Sequence, residues 1–216
     1  MVRFGYGFVM VGAWACLAMG SANAGTILAQ ISAEGGGAIA DAVVYAIPAS
    51  GPASASQATT QMAQENQEFT PFVLPVQVGT AVEFPNRDSF RHHVYSFSPA
   101  KPFELKLFSG KERQVVTFDK EGIIALGCNI HDNMLAYIYA VPTPYFAKTG
   151  ENGKATIANL DAGTYTIKVW HPNEKTSSKE TVVNVSADGP STVAVTVALK
   201  AERKAKKARP KDQTDY

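Results

Sequence analysis

Three side chains that bind soft metal ions lie within a stretch of seven residues. Cys128, His131 and Met134 supply a thiolate, an imidazole and a thioether. Thiolate and thioether ligands favour copper, and imidazole suits both of its common oxidation states. Taken singly, a buried cysteine or a methionine beside a strand is an ordinary packing residue. Their spacing between two apolar segments predicts a turn that directs all three side chains at one ion.

The fourth ligand of such a site comes from further upstream. His92 and His93 open another apolar segment, and His92 precedes Cys128 by 36 residues. Two histidines and a cysteine in one plane, with a weak axial methionine, form the copper arrangement used for electron transfer. A catalytic cysteine would need an activating histidine and an oxyanion hole, and structural zinc normally takes a Cys/His quartet. Both alternatives fit these residues less well.

At these positions the sequence resembles the cupredoxins, and among them the amicyanin and plastocyanin branch. The late loop has the family's order of Cys, two residues, His, a short gap and Met, and the two-residue gap before Met134 is most similar to amicyanin. Upstream, Asn86 precedes His92 by six positions, as in the family, but His93 stands where an Asn is usual. The resemblance covers roughly residues 69–141. It implies one mononuclear type 1 copper held by His92, Cys128, His131 and Met134, with His93 as the alternative to His92, and with Asn86, Asp88 and Asn129 next to the ligands.

The sequence pattern of the rest of the chain predicts strands and turns. Short apolar or alternating segments recur about every ten residues, which is typical of a sandwich or barrel. Residues 149–170 resemble the carboxypeptidase-regulatory-like or transthyretin-like sandwich, and residues 26–47 resemble its opening strands. The predicted fold is therefore all-β, with a cupredoxin Greek-key sandwich or barrel plus a small Ig-like or prealbumin-like β-sandwich. Either the copper unit is inserted into the second sandwich, or the early strands complete the copper unit itself.

Composition predicts the ends of the chain and the domain boundaries. An apolar segment after Arg3 that ends in Ala22-Asn23-Ala24 is typical of a cleaved signal peptide, which predicts a periplasmic location and no transmembrane segment after cleavage. Residues 200–216 carry seven basic and three acidic side chains, whereas residues 25–199 carry twelve and sixteen. An exported chain with an acidic body is not expected to bind nucleic acid. The predicted organisation is a signal peptide (1–24), opening strands (25–48), a linker (49–68), the copper domain (69–143), the second sandwich (144–199) and a basic disordered tail (200–216).

These observations predict a periplasmic type 1 copper protein that carries single electrons to and from a redox partner protein. We expect it not to be an enzyme. Some exported proteins that resemble this combination carry a methylamine-utilisation label. Two alternatives stay open at this point: a periplasmic protein that binds or delivers copper without a redox partner, and a structural adhesion-type β-protein.

Overall fold

The computed structural model describes residues 24–131 and 133–200 of the 216-residue chain. The predicted signal peptide and basic tail lie outside these residues, except for Ala24 and Lys200. The described strands, in chain order, are β1 (Gly25–Ala33), β2 (Val43–Pro48), β3 (Thr59–Gln61), β4 (Ala63–Glu65), β5 (Glu68–Thr70), β6 (Val73–Gln77), β7 (Ala81–Glu83), β8 (His92–Ser96), β9 (Phe103–Phe108), β10 (Val115–Thr117), β11 (Gly122–Gly127), β12 (Leu135–Val141), β13 (Phe146–Lys148), β14 (Lys154–Leu160), β15 (Gly163–Trp170), β16 (Thr181–Val185) and β17 (Ser191–Val197).

The all-β prediction is confirmed. Among the described residues, no helix has the length and apolar character that crossing a membrane would require.

The first and last strands form one sandwich, which we call the outer sandwich (β1, β2 and β13 to β17). One sheet has the order β14-β1-β17 and the other the order β13-β2-β15-β16. Apolar side chains of both sheets point inward, and the two inner faces pack against each other. The shared core includes Ile27 and Ile31 of β1, Ile157 of β14, Ile167 of β15 and Val195 of β17.

The strands between β2 and β13 form a second unit, which we call the inserted sandwich (β3 to β12). Its five-stranded sheet has the order β6-β12-β11-β8-β9, and it faces a three-stranded sheet of order β10-β7-β3. The core between them is built from large apolar side chains such as Phe84, Phe108, Phe118, Leu126 and Ile138. Because β2 pairs with both β13 and β15, the chain leaves the outer sandwich after β2 and returns to it at β13.

The segment predicted as a linker, residues 49–68, contains more structure than its composition indicates. It includes β3, β4 and the first residue of β5, and Met62 within it is fully buried. Backbone hydrogen bonds hold it in place: Met62 donates to the Glu83 carbonyl and Gln64 to the Pro85 carbonyl, each at 2.9 Å. Small polar side chains do not reveal such pairing in a sequence, because the hydrogen bonds involve the backbone alone.

An aromatic cluster joins the two sandwiches. It consists of Val43 and Tyr45 from β2, Val73 from β6, Tyr139 and Val141 from β12, and Trp170 from β15. The hydroxyls of Tyr45 and Tyr139 are hydrogen-bonded at 2.9 Å, and the Tyr139 and Trp170 rings meet edge-on with centroids 5.2 Å apart. The outer sandwich therefore packs against the five-stranded sheet of the inserted sandwich.

Candidate metal centre

Strand pairing brings the upstream histidine to the cysteine. β8 and β11 are antiparallel neighbours, with Gly127 opposite Tyr95, so continuing that register sets Cys128 opposite Val94. Opposite residues share a face of the sheet, and residues two apart along one strand do as well. His92 therefore lies on the same inner face as Cys128, and the two are 0% and 4% exposed.

The turn after β11 supplies the other two predicted ligands. Cys128 directly follows β11, and the chain turns and returns as β12, which pairs with β11 along its whole length. The backbone N–H of Met134 donates to the carbonyl of His131 at 3.0 Å, which closes this turn. Met134 is 2% exposed and belongs to the same core cluster as Cys128, whereas His131 is partly exposed.

Three donor atoms converge at the end of the sandwich. The Cys128 Sγ lies 4.0 Å from the His92 Nδ1 and 3.8 Å from the His131 Nδ1, and the three atoms lie within 4.8 Å of one another. With metal–nitrogen and metal–sulfur bonds of about 2.0 and 2.3 Å, a trigonal arrangement separates nitrogen from sulfur by about 3.7 Å. The observed spacing thus fits one ion shared by the three side chains.

An aromatic residue that the sequence analysis did not single out packs on both imidazoles. The Phe90 ring centroid is 5.1 Å from that of His92 and 5.6 Å from that of His131, and the two imidazole centroids are 5.1 Å apart. Phe90 is 41% exposed, so it covers the rings from the solvent side. Its position two residues before His92 in the sequence is the signal that could have pointed to it.

The predicted neighbour Asp88 contacts the buried histidine directly. Its Oδ2 lies 2.7 Å from the His92 Nε2, and its two oxygens also accept the backbone N–H groups of Asn66 and Gln67. Burial by itself would raise the pKa of the Asp88 carboxyl, but the hydrogen bonds from Gln67, His92 and Asn66 outweigh it and hold the pKa below its ordinary value. The carboxylate is therefore ionised, and it accepts the His92 Nε2 hydrogen.

Asn86 stabilises the loop that carries Asp88 through side-chain hydrogen bonds. Its side-chain Nδ2 donates to the carbonyls of Phe90 and Phe108 at 2.8 and 3.2 Å, and its Oδ1 accepts the backbone N–H of Asp88 at 3.0 Å. Gly110 packs against the same backbone, since a Cβ added there would lie 2.4 Å from the Asn86 carbonyl oxygen. These contacts fix the path of the chain from β7 into β8.

Two other residues considered in the sequence analysis are not among the three converging donors. His93 points to the opposite face of β8, where its Nε2 lies 2.8 Å from a carboxylate oxygen of Glu104. Strand alternation accounts for this, because neighbouring residues of a strand face opposite sides. Asn129, expected next to the ligands, is exposed on the turn, and its side chain makes no hydrogen bond within the described residues. Its position at the tip of the turn directs it to solvent.

Comparison with known proteins gives partial matches. Residues 137–193 match the family model described as polysaccharide lyase family 4, domain II, which differs from the carboxypeptidase-regulatory-like family that this region was expected to resemble. No curated protein sequence matches the chain.

Solved structures with a similar fold include three copper or cupredoxin proteins. A copper-containing nitrite reductase from Thermus scotoductus is 27% identical over 43% of this chain and 25% of its own, with a TM-score of 0.38. A purple cupredoxin from Nitrosopumilus maritimus is 21% identical over 38% of this chain and 99% of its own, with a TM-score of 0.34. Amicyanin from Paracoccus versutus is 14% identical over 44% of this chain and 91% of its own, with a TM-score of 0.35. The chain thus spans a quarter of the nitrite reductase and nearly all of the two smaller proteins.

Proposed function

We propose that this protein is a type 1 copper protein that carries single electrons in the periplasm and is not itself an enzyme. The observation that carries the proposal is the convergence of the Cys128 Sγ with the Nδ1 atoms of His92 and His131 at the end of a β-sandwich. A thiolate with two imidazoles is the trigonal donor set of copper electron-transfer sites.

Each donor has a separate task in this proposal. His92, Cys128 and His131 would hold the ion, and Met134, which is buried in the same core cluster as Cys128, would offer its thioether as a fourth, weaker ligand. A copper ion bound there would supply one-electron chemistry, by exchange between Cu(I) and Cu(II). His92 and Cys128 are held by paired strands, which limits the movement of the ligands during that change.

The route for the electron follows from which donor reaches the surface. His92, Cys128 and Met134 are 0%, 4% and 2% exposed, whereas His131 is partly exposed. The imidazole edge of His131 is therefore where we propose that a redox partner protein approaches. Beside it in the sequence Ile130 is 49% exposed, which gives the partner an apolar contact.

One histidine variant and one cysteine variant test the site, and a variant of the neighbouring histidine is the matched control. The protein is loaded with Cu(II), and we expect the intense visible colour of a copper–thiolate bond with one copper per chain. His92→Gln and Cys128→Ser should both abolish the colour. His93→Gln should keep it, because His93 faces away from the three donors. Far-UV circular dichroism checks that each variant keeps its β-structure.

The same experiment separates the proposal from its alternatives. A sample that stays colourless with Cu(II) yet binds Cu(I) tightly would indicate copper delivery without electron transfer. If the wild-type protein retains no copper, the result would favour the hypothesis of a structural adhesion-type β-protein and would overturn the proposal. Loss of colour in His93→Gln with retention in His92→Gln would show that the ligand is assigned to the wrong histidine.

A further inference from the structure

One carboxylate links the candidate metal centre to a hairpin that lies far from it in sequence. Asp88 accepts three hydrogen bonds: from the Asn66 N–H at 2.8 Å, from the Gln67 N–H at 3.1 Å and from the His92 Nε2 at 2.7 Å. The Asp88 side chain is 11% exposed and that of His92 is fully buried, so water has little access to the contact. A hydrogen bond to a charged group is strengthened in such surroundings.

The two N–H donors come from the turn between β4 and β5. Asn66 and Gln67 have φ angles of 56° and 61°, so both adopt the left-handed conformation of a tight two-residue hairpin turn. Non-glycine residues enter this region at an energetic disadvantage and need support from their surroundings. The Asp88 carboxylate gives that support, because it accepts both N–H groups of the turn.

We propose that Asp88 is a positioning residue for the metal centre: together with the β4–β5 hairpin it fixes His92 with its hydrogen on Nε2 and its Nδ1 lone pair turned toward Cys128. Both Asp88 oxygens already accept backbone N–H groups, so the side chain is an acceptor at its 2.7 Å contact with His92 and the Nε2 atom carries the hydrogen. The other ring nitrogen is then left free to bind a metal, and the carboxylate makes it a stronger donor. This inference rests on the proposed copper function for its consequences on the metal, but the tautomer of His92 exists without the metal.

The substitution Asp88→Asn tests the proposal, with Glu104→Gln as its matched control. Asparagine offers one oxygen where the carboxylate offers two, so the three donors cannot all be satisfied. Glu104→Gln removes the carboxylate bonded to the neighbouring His93, on the other face of the same strand. We expect Asp88→Asn to weaken Cu(II) binding about 10- to 100-fold and to raise the reduction potential, since a negative charge near the ion favours Cu(II). Glu104→Gln should change neither quantity.

Measurements on the metal-free protein separate this inference from the proposed function. Long-range proton–nitrogen NMR correlations at a pH of about 8 should show the hydrogen of His92 on Nε2 in the wild type. Amide exchange at Asn66 and Gln67 should accelerate in Asp88→Asn and stay unchanged in Glu104→Gln. If the wild type binds no copper, the copper proposal fails while these results still decide the role of Asp88. A His92 hydrogen on Nδ1, unchanged amide exchange in Asp88→Asn, or an equal change of potential in both variants would overturn the inference.

Discussion

Replacing Tyr139 by Phe removes one hydroxyl from the contact between the two sandwiches and leaves the Tyr45 hydroxyl, 2.9 Å away, without its partner. Tyr45 and Tyr139 are 4% and 9% exposed, so water does not readily replace the lost hydrogen bond. A buried polar group left unpaired destabilises a fold by about 1–3 kcal/mol. The same loss is expected for Tyr45→Phe. The double variant removes both polar groups, and it should therefore be destabilised by less than the sum of the two single variants.

Urea unfolding of the four proteins measures this coupling. With a denaturant slope of about 2 kcal/mol per molar urea, each single substitution should lower the midpoint by about 0.5–1.5 M. The coupling free energy from the double-mutant cycle should be about 1–2 kcal/mol. Tyr165→Phe is the control: its hydroxyl donates to the carbonyl of Asp161, an exposed residue, so its loss should be smaller. Strictly additive effects of Tyr45→Phe and Tyr139→Phe would refute the reasoning.

Two further predictions concern the pH dependence and the turns of the fold. Burial lowers the pKa of His171 below its ordinary value of 6.5 despite the nearby Asp41 carboxylate, so the unfolded chain takes up the proton first. The free energy of unfolding should decrease as the pH falls below 6.5, and His171→Asn should flatten that decrease in urea titrations. Gly79 and Gly36 have similar φ angles of 96° and 100°, but only at Gly79 would an added Cβ meet backbone, 2.6 Å from the Ser56 carbonyl oxygen. Gly79→Ala should therefore destabilise the protein by about 1–3 kcal/mol more than Gly36→Ala, and equal losses in thermal unfolding would contradict this.

The strands that hold the core could be predicted from the sequence because their apolar residues repeat with the period of a strand. The two apolar segments on either side of the stretch from Cys128 to Met134 are predicted in this way, and both are strands in the structure, β11 and β12. The structure adds β3 and β4, two short strands within residues 59–65 that the sequence does not predict. Their backbone pairs with neighbouring strands while most of their side chains are small or polar, so hydrophobic periodicity carries no signal there.

The residues that could bind the metal are easier to predict from the sequence than the residues that surround them. The structure brings Cys128, His131 and His92 together. This grouping could be predicted because ligand spacing on one turn and side-chain alternation along one strand are both visible in a sequence. The partners of Asp88 could not be predicted. They are backbone N–H groups of Asn66 and Gln67, which carry no side-chain signature and lie in a segment whose composition is typical of a linker.

One strand, β12, runs from the candidate metal centre to the contact with the outer sandwich. Along β12, Ile138 faces the inserted core, whereas Leu135, Tyr139 and Val141 face the other side. On that side Leu135 is 48% exposed, but Tyr139 and Val141 are buried against the outer sandwich. On the same side the Tyr137 ring already meets the Trp170 ring of the outer sandwich, with centroids 5.7 Å apart. With a rise of about 3.3 Å per residue, the covered part of the strand therefore begins about 10 Å from Met134. The outer sandwich therefore covers one end of the sheet and leaves uncovered the opposite end, where His131 reaches the surface and where we propose that a partner approaches.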